Sequence, residues 1–346
     1  MDLCKNTALL NSWIDEARVI STVCHGRPDG DAAGCSAAMA GYLVFSRGKD
    51  AAAIIPDKLP DNIRFVTEGI DTITERTEAA RRLESTDLLI CLDFNTLSRT
   101  ESMEDLVRSF KGRKVLIDHH QDPALDEFDL CFSETKVSSA CELLYNVLLG
   151  MPDINGDAAL LPAVTLRGLM TGMTTDTNNF ANSVYPGTLQ MASRLLAAGV
   201  DRDDLIERIY QSERPNRLAA MGELLSSRMR LLPCGAAVVV LPQSFFDRHD
   251  LMEGETEGFV NLPLAIKSVR LSILAREDGD IFRISIRSKK GVSARELAKK
   301  RFHGGGHEQA SGGKILIPQD IKTPAEAEAY LSKITARFMQ EPAIVD

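Results

Sequence analysis

Four short runs rich in Val, Ile and Leu punctuate the N-terminal part of the chain: VISTVC at 19–24, AAAII at 51–55, DLLICLD at 87–93 and KVLID at 114–118. The stretches between them carry helical spacing instead. AAGCSAAMAGYLVFS at 32–46, for example, sets small and apolar residues at i, i+3 and i+4. This alternation constrains the fold more than any other feature. Strands linked through helices pair in parallel, and the helices cover both faces of the sheet, so an α/β domain with a parallel sheet is predicted. Ligands of such sheets collect at the carboxyl ends of the strands. The decapeptide HGRPDGDAAG at 25–34 follows the first apolar run directly and therefore falls at that edge.

From about Tyr185 to Leu232 the pattern is wholly helical, through PGTLQMASRLLAAG and then DRDDLIERIYQSERPNRLAAMGELLSSRM. Strand signals return after Pro233 in AAVVVLP (236–242), VRLSILARE (269–277) and IFRISIRS (281–288). They lead to a helix, SARELAKKR, a glycine-dense loop, HGGGHEQASGG, and a last helix near 324–339 that opens on Pro324. A chain of 346 residues is long enough for two cores. The expectation is an N-terminal parallel sheet with helices on both faces, a helical connector and a smaller α+β C-terminal domain.

Composition removes several function classes. No apolar stretch reaches the roughly 18 residues that span a bilayer, and MDLCKNTALLNSWIDEARV lacks the basic flank and apolar core of a signal peptide. A cytoplasmic protein with no membrane partner is expected. The seven cysteines form no C-x-x-C pair and read as buried reduced thiols. A net charge of −9 argues against wrapping duplex DNA, which demands many cationic contacts with phosphates.

Three further polar segments lie in the first domain: CLDFN (91–95), IDHH (117–120) and TTDTNNF (174–180). Two of them end predicted strands. One edge of the sheet is thus expected to gather His25, Asp29, Asp31, Asp93, Asp118, His119, His120 and Asp176. That many carboxylates repel one another unless a cation lies among them or their pKa values rise. Carboxylate and imidazole donors without thiolate suit Mn²⁺, Mg²⁺ or Fe²⁺, with Zn²⁺ also admissible. The ligand count exceeds the needs of one octahedral ion and suits a pair sharing one carboxylate. Two ions roughly 3.5 to 4 Å apart clamp a phosphoryl group for in-line attack. Each segment alone has a plainer reading, as a Pro-Asp-Gly turn, a polar strand end or a helix cap. Their coincidence at strand ends of one domain favours the metal.

With these segments in view, the chain resembles the DHH phosphoesterase family, whose name is the triplet Asp118-His119-His120. HGRPDGDA, LDFN, IDHH and TTDT look like its four motifs, and GGGHEQASGG looks like the signature of the DHH-associated C-terminal domain. Length and domain pairing are most similar to the branch of oligoribonucleases and adenosine 3′,5′-bisphosphate phosphatases. The resemblance implies a catalytic domain at 1–190, a connector at 191–233 and a substrate-binding domain at 234–346. It also implies two divalent cations, Mn²⁺ above others. His25, Asp29 and Asp93 would hold the first, and Asp31, Asp93, His119 and Asp176 the second, with Asp93 as the bridge. Asp118 would orient a histidine. His120 would face the substrate, giving Asp93, Asp118 and His120 as the catalytic group.

The second domain has the opposite charge. From Ile281 to Ile317 there are nine Lys or Arg against two Asp or Glu, around the GGGH loop. By resemblance, Gly304, Gly305, Gly306 and His307 cradle a phosphate or base of the substrate and Arg287 pairs with a phosphate. One departure stands out: His303 occupies a place where the family often has a fourth glycine. The expected partner is short single-stranded RNA or a small nucleotide, and the expected activity is release of 5′-mononucleotides from short oligoribonucleotides, with adenosine 3′,5′-bisphosphate as a further substrate. The alternatives are a phosphodiesterase of linear or cyclic dinucleotides and a nucleotide-binding sensor without turnover. Homodimerisation is left open.

Overall fold

The computed structural model describes residues 2–252 and 254–341. The chain divides into two compact units, Met1–Ser212 and Glu213–Asp346.

In the first unit, strands β1 (Val19–Val23), β2 (Asp50–Ile54), β3 (Thr72–Ile73), β4 (Leu88–Leu92), β5 (Arg113–Asp118) and β6 (Leu130–Ser133) form one sheet. Their order is β3-β2-β1-β4-β5-β6, and every pairing is parallel. The helices are α1 (Leu3–Glu16), α2 (Gly30–Phe45), α3 (Arg76–Ser85), α4 (Glu104–Ser109), α5 (Ala140–Leu149), α6 (Ala163–Asp176), α7 (Pro186–Ala197) and α8 (Arg202–Tyr210). The continuous apolar runs read in the sequence belong to strands buried on both sides. Leu88, Ile90 and Leu92 of β4 enter one core with α1, α2, α5 and α6, while Leu89 and Cys91 enter the other with α3 and α4. The predicted α/β architecture is the observed one. The sequence reading passed over β3 and β6, edge strands of two and four residues, too short to register as a pattern.

Helix α2 has almost no exposed face, and its small residues let α6 come close. A Cβ at Gly34 would lie 2.5 Å from the Gly168 carbonyl oxygen, and one at Gly168 would lie 2.5 Å from that of Gly34. The contacts run antiparallel: Gly41 meets Val164 and Thr165, and Gly30 meets Thr175. The first turn of α2 therefore lies beside the last turn of α6.

The second unit holds β7 (Met229–Leu232), β8 (Ala236–Leu241), β9 (Leu271–Asp278), β10 (Ile281–Ser288), β11 (Gly305–Gly306) and β12 (Ala310–Leu316), ordered β11-β12-β10-β9-β8-β7. All pairings are antiparallel except β8 with β9. Helices α11 (Ala294–Arg301) and α12 (Ala327–Gln340) cover one face; α9 (Pro215–Glu223) and α10 (Gln243–His249) contribute to the core on the other. Residues 191–233, expected as a helical connector, are shared between the units. Met191, Leu195, Leu205 and Ile209 belong to the first core, whereas Ala220 and Leu224 belong to the second. Nor is that stretch wholly helical. Met229–Leu232 is a strand that turns back on β8 at Gly235, whose φ is +81°. The sheet of this unit therefore begins before Pro233, after which strand signals are first expected, and the Pro-Cys-Gly stretch makes its first bend. All seven cysteines are free thiols. No helix among the described residues is long and apolar enough to cross a membrane.

Candidate metal centre

The strand order reverses between β1 and β4, and the crevice at such a switch point is where open parallel sheets bind ligands. Segments leaving β1, β4 and β5 supply most of the predicted ligands. After β1, His25 is 5% exposed, and its Nδ1 lies 2.9 Å from the Gly26 carbonyl oxygen. A carbonyl only accepts, so Nδ1 carries the proton and Nε2 presents its lone pair. Asp29 caps α2, its Oδ1 accepting from the N–H groups of Asp31 (3.0 Å) and Ala32 (3.1 Å). Asp31, in the first turn of α2, is 1% exposed.

Asp93 follows β4 in the left-handed region, with φ +61°, a conformation that a non-glycine residue adopts only where its surroundings impose it. Its N–H donates to the Ile117 carbonyl (3.1 Å). The carboxylate is 2% exposed and points both ways along the crevice. Oδ2 lies 3.5 Å from His25 Nε2, and Oδ1 lies 3.6 Å from His119 Nε2 without a hydrogen-bond partner. At the end of β5, the fully buried Asp118 sits 2.7 Å from His120 Nδ1 through Oδ1, while its Oδ2 is unpartnered. His119 Nε2 lies 3.6 Å from Asp176 Oδ2 and 3.9 Å from Asp31 Oδ2. Asp176 is the last residue of α6, brought here by the antiparallel packing on α2.

The ligand atoms of His25, Asp29 and Asp93 all lie within 4.8 Å of one another, and so do those of Asp31, His119 and Asp176. Electrostatics drive Asp31, Asp93, Asp176 and His119 toward their neutral forms. Burial first, then the charges of Asp29 and its neighbours, pushes Asp31 up to about 6 and Asp176 up to about 8. Burial raises Asp93 well above the usual carboxylate range, reinforced by Asp31. Burial, then His120, brings His119 down to about 4. Neutral imidazoles, crowded carboxylates and orphaned buried oxygens are a donor set that fits divalent cations and that little else would stabilise.

Sequence reasoning missed the support beneath Asp31. Its Oδ2 accepts from the Ala140 N–H (2.7 Å) and its Oδ1 from the Cys141 N–H (3.0 Å), at the N-terminus of α5. That end is fixed by Glu142, 3% exposed, whose Oε2 accepts from the Ser138 N–H (2.9 Å), the Ser138 hydroxyl (2.6 Å) and the Thr188 hydroxyl (2.6 Å). Ser139 caps the helix by accepting from the Glu142 N–H (3.0 Å). The signal was there, a Ser-x-x-Glu capping pattern in SSACE. A Cβ at Gly172 would lie 2.6 Å from Asp31 Oδ1, so α6 also needs a bare backbone at this point.

The remaining predicted residues lie in the second unit. Arg287, on β10, is partly buried, which lowers its guanidinium pKa against the opposing influence of Glu257. Gly305 and Gly306 form β11 beside Gly312 and Ser311 of β12. Gly304 fits because a Cβ there would meet the Gly312 carbonyl at 1.9 Å. His307 turns the chain into β12, its N–H donating to the Ala310 carbonyl (2.8 Å). His303 has φ +48°, which accounts for glycine being the simpler residue there, and its Nε2 lies 3.1 Å from Asp320.

Residues 19–173 match the DHH family, N-terminal domain, and residues 235–336 match the DHHA1 domain. The chain is 28% identical over 294 residues to a bifunctional oligoribonuclease and PAP phosphatase of Thermus thermophilus, an alignment covering 84% of this chain and 82% of that protein. Among solved structures, an exopolyphosphatase-related protein from Bacteroides fragilis is 31% identical. Its TM-score is 0.89, with 97% of this chain and 98% of that one covered. RecJ of Thermus thermophilus in complex with Mn²⁺ shares the fold at 17% identity and a TM-score of 0.55, over 98% of this chain and 55% of that one.

Proposed function

This chain belongs to the DHH family of phosphoesterases, and from that premise we propose that it hydrolyses short oligoribonucleotides to 5′-mononucleotides with the help of two divalent cations, Mn²⁺ foremost. Adenosine 3′,5′-bisphosphate is the second substrate in this reading, in keeping with the activities for which the Thermus thermophilus relative is named.

The observation that carries the reading is the two-sided carboxylate of Asp93, with Oδ2 toward His25 and Oδ1 toward His119. One cation would be held by His25, Asp29 and Asp93, and the other by Asp31, Asp93, His119 and Asp176. When bound, such a pair supplies Lewis acidity toward water and the phosphoryl oxygens. The protein supplies the rest. The α5 N-terminus holds Asp31 in place, and the Gly26 carbonyl fixes the His25 ring. Asp118 fixes the His120 ring through Nδ1, and His120 would face a phosphate oxygen or the leaving oxygen of the substrate. Arg287 takes a substrate phosphate, and Gly304, Gly305, Gly306 and His307 line its seat. The expected location is the cytoplasm.

A labelled dinucleotide incubated with the protein and Mn²⁺, with and without chelator, tests the reading. Chelator-sensitive release of mononucleotide is expected. Its absence from dinucleotide, longer RNA and adenosine 3′,5′-bisphosphate alike would refute the assignment.

A further inference from the structure

Arg27 stands between two predicted ligands of the first cation, His25 and Asp29, on the loop that leaves β1. Its main chain is pinned and its side chain is not. The Arg27 N–H donates to Asp57 Oδ2 (2.7 Å), beyond β2, and the neighbouring Gly26 N–H donates to the Arg99 carbonyl (2.8 Å), beyond β4. The backbone at Arg27 is left-handed, with φ +53°. The side chain, by contrast, is 73% exposed. Among the described residues its ion-pair partner is Glu101, whose Oε1 accepts from both Nε (3.0 Å) and Nη2 (2.6 Å).

Glu101 is kept there against its own backbone preference. Inside Leu97–Met103 it has φ +46° and ψ −105°, which is not a helical conformation and is strained for any residue with a side chain. Its side chain lies on the Gly26 main chain, where a Cβ would come within 2.8 Å of Glu101 Cγ. Strain of this kind costs more than an exposed ion pair returns. Stability therefore does not account for a carboxylate fixed beside a metal ligand, and strained positions of this sort cluster at ligand clamps.

The form of the pairing points the same way. A guanidinium is best matched by two parallel N–H···O bonds to two oxygens, as a phosphate offers. Here Nε and Nη2 converge on one oxygen, so a phosphate would suit that edge better than Glu101 does. Leaving Glu101 is also cheap, because its side chain is itself 42% exposed and water replaces the lost partner.

We propose that Arg27 is a substrate-binding residue held in reserve by Glu101. When a substrate phosphate reaches the centre, Arg27 leaves Glu101 for it, and Glu101 takes Arg27 back as the product departs. The proposal rests on the phosphoesterase reading above and adds to it a phosphate contact from the loop that carries the ligands.

The test is steady-state turnover of a labelled dinucleotide in Mn²⁺, with KM and kcat separated. Both side chains are exposed, so wild-type melting temperatures are expected throughout. Arg27→Ala is expected to raise KM by about tenfold, with kcat nearly unchanged. The salt dependence of log KM should become shallower by about 0.7, the share of one phosphate contact. Arg27→Lys should keep part of the affinity. Glu101→Gln preserves the shape over Gly26 and removes the charge, so it is expected to lower KM, by about threefold. Opposite signs mark the exchange. An ion pair that only braces the loop moves both variants the same way or neither, and either result overturns the proposal. If the wild type releases no mononucleotide, the phosphoesterase reading falls, and the exchange is judged by fluorescence anisotropy of the same dinucleotide in excess chelator. It stands there if Arg27→Ala binds more weakly and Glu101→Gln more tightly than the wild type, and is overturned otherwise.

Discussion

The carboxyl edge of the first sheet and the outer face of the second are built on opposed plans. The edge assembles acids and imidazoles from segments about 150 residues apart, on loops and helix ends, some of them in strained backbone such as Asp93. The outer face aligns Arg276, Arg283 and Lys314 from neighbouring strands by the pleat alone, beside a row of small residues, Ser285, Gly312 and Gly305. The first gathers carboxylates where water is scarce, an arrangement that suits counter-cations. The second spreads positive charge where water is plentiful, which suits a polyanion held loosely and released. The difference teaches that the two charged regions owe nothing to one another's construction, and each can be altered without the other.

The largest effect belongs to the edge. Asp93→Ala removes the carboxylate that faces both donor groups. Turnover is expected to fall by about a thousandfold or more on dinucleotide and longer RNA alike, since each cation contributes several kcal/mol to the barrier. Calorimetric titration with Mn²⁺ should show fewer bound ions. Near-normal turnover would remove the basis for treating the edge as the chemical half.

A smaller effect is expected one layer out. Glu142→Ala strips the acceptor from Ser138 and Thr188 and loosens the α5 end that holds Asp31. Cation affinity should drop by about 10- to 100-fold, as outer partners of metal ligands typically do. Thermal unfolding should show a loss of about 1–3 kcal/mol. Unchanged Mn²⁺ affinity in a destabilised variant would reduce Glu142 to a packing residue.

The smallest effect is one of pH, and its sign is unusual. Asp31 and Asp176 have folded-state pKa values of about 6 and about 8, against an ordinary 3.8. A raised value means stability that is fully present below the unfolded pKa and lost as pH rises through the folded one. Cation-free protein should therefore melt at progressively lower temperature between about pH 4 and pH 8, where many proteins are near their best. Saturating Mn²⁺ should abolish that slope. Among its described residues the second unit has no such cluster to answer for it, so a slope that persists with the cation bound would place its origin elsewhere.

The sequence made the edge readable because its information lies in residue type: three Asp- and His-bearing segments follow apolar strands of one domain, and with the fourth, at the end of α6, they leave few explanations. The same holds for the strand–helix alternation that yields the sheet. Glu142 and the N–H groups of Ala140 and Cys141 escaped because a capping pattern says where a helix begins, not which distant carboxylate its first turn will hold. The outer face escaped for a different reason. Arg276, Arg283 and Lys314 become neighbours only through register, and a shift of one residue would scatter them to opposite faces. The hairpin at Met229–Leu232 was lost inside a helical-looking run because its partner strand was read without its turn.

Where α2 and α6 touch at Gly34 and Gly168, main chain meets main chain with no side chain between. That contact acts as a gauge block for the metal centre. A single added methyl at either position would wedge the helices apart and widen the gap between Asp31 and Asp176, detuning the centre from a site that holds no ligand of its own.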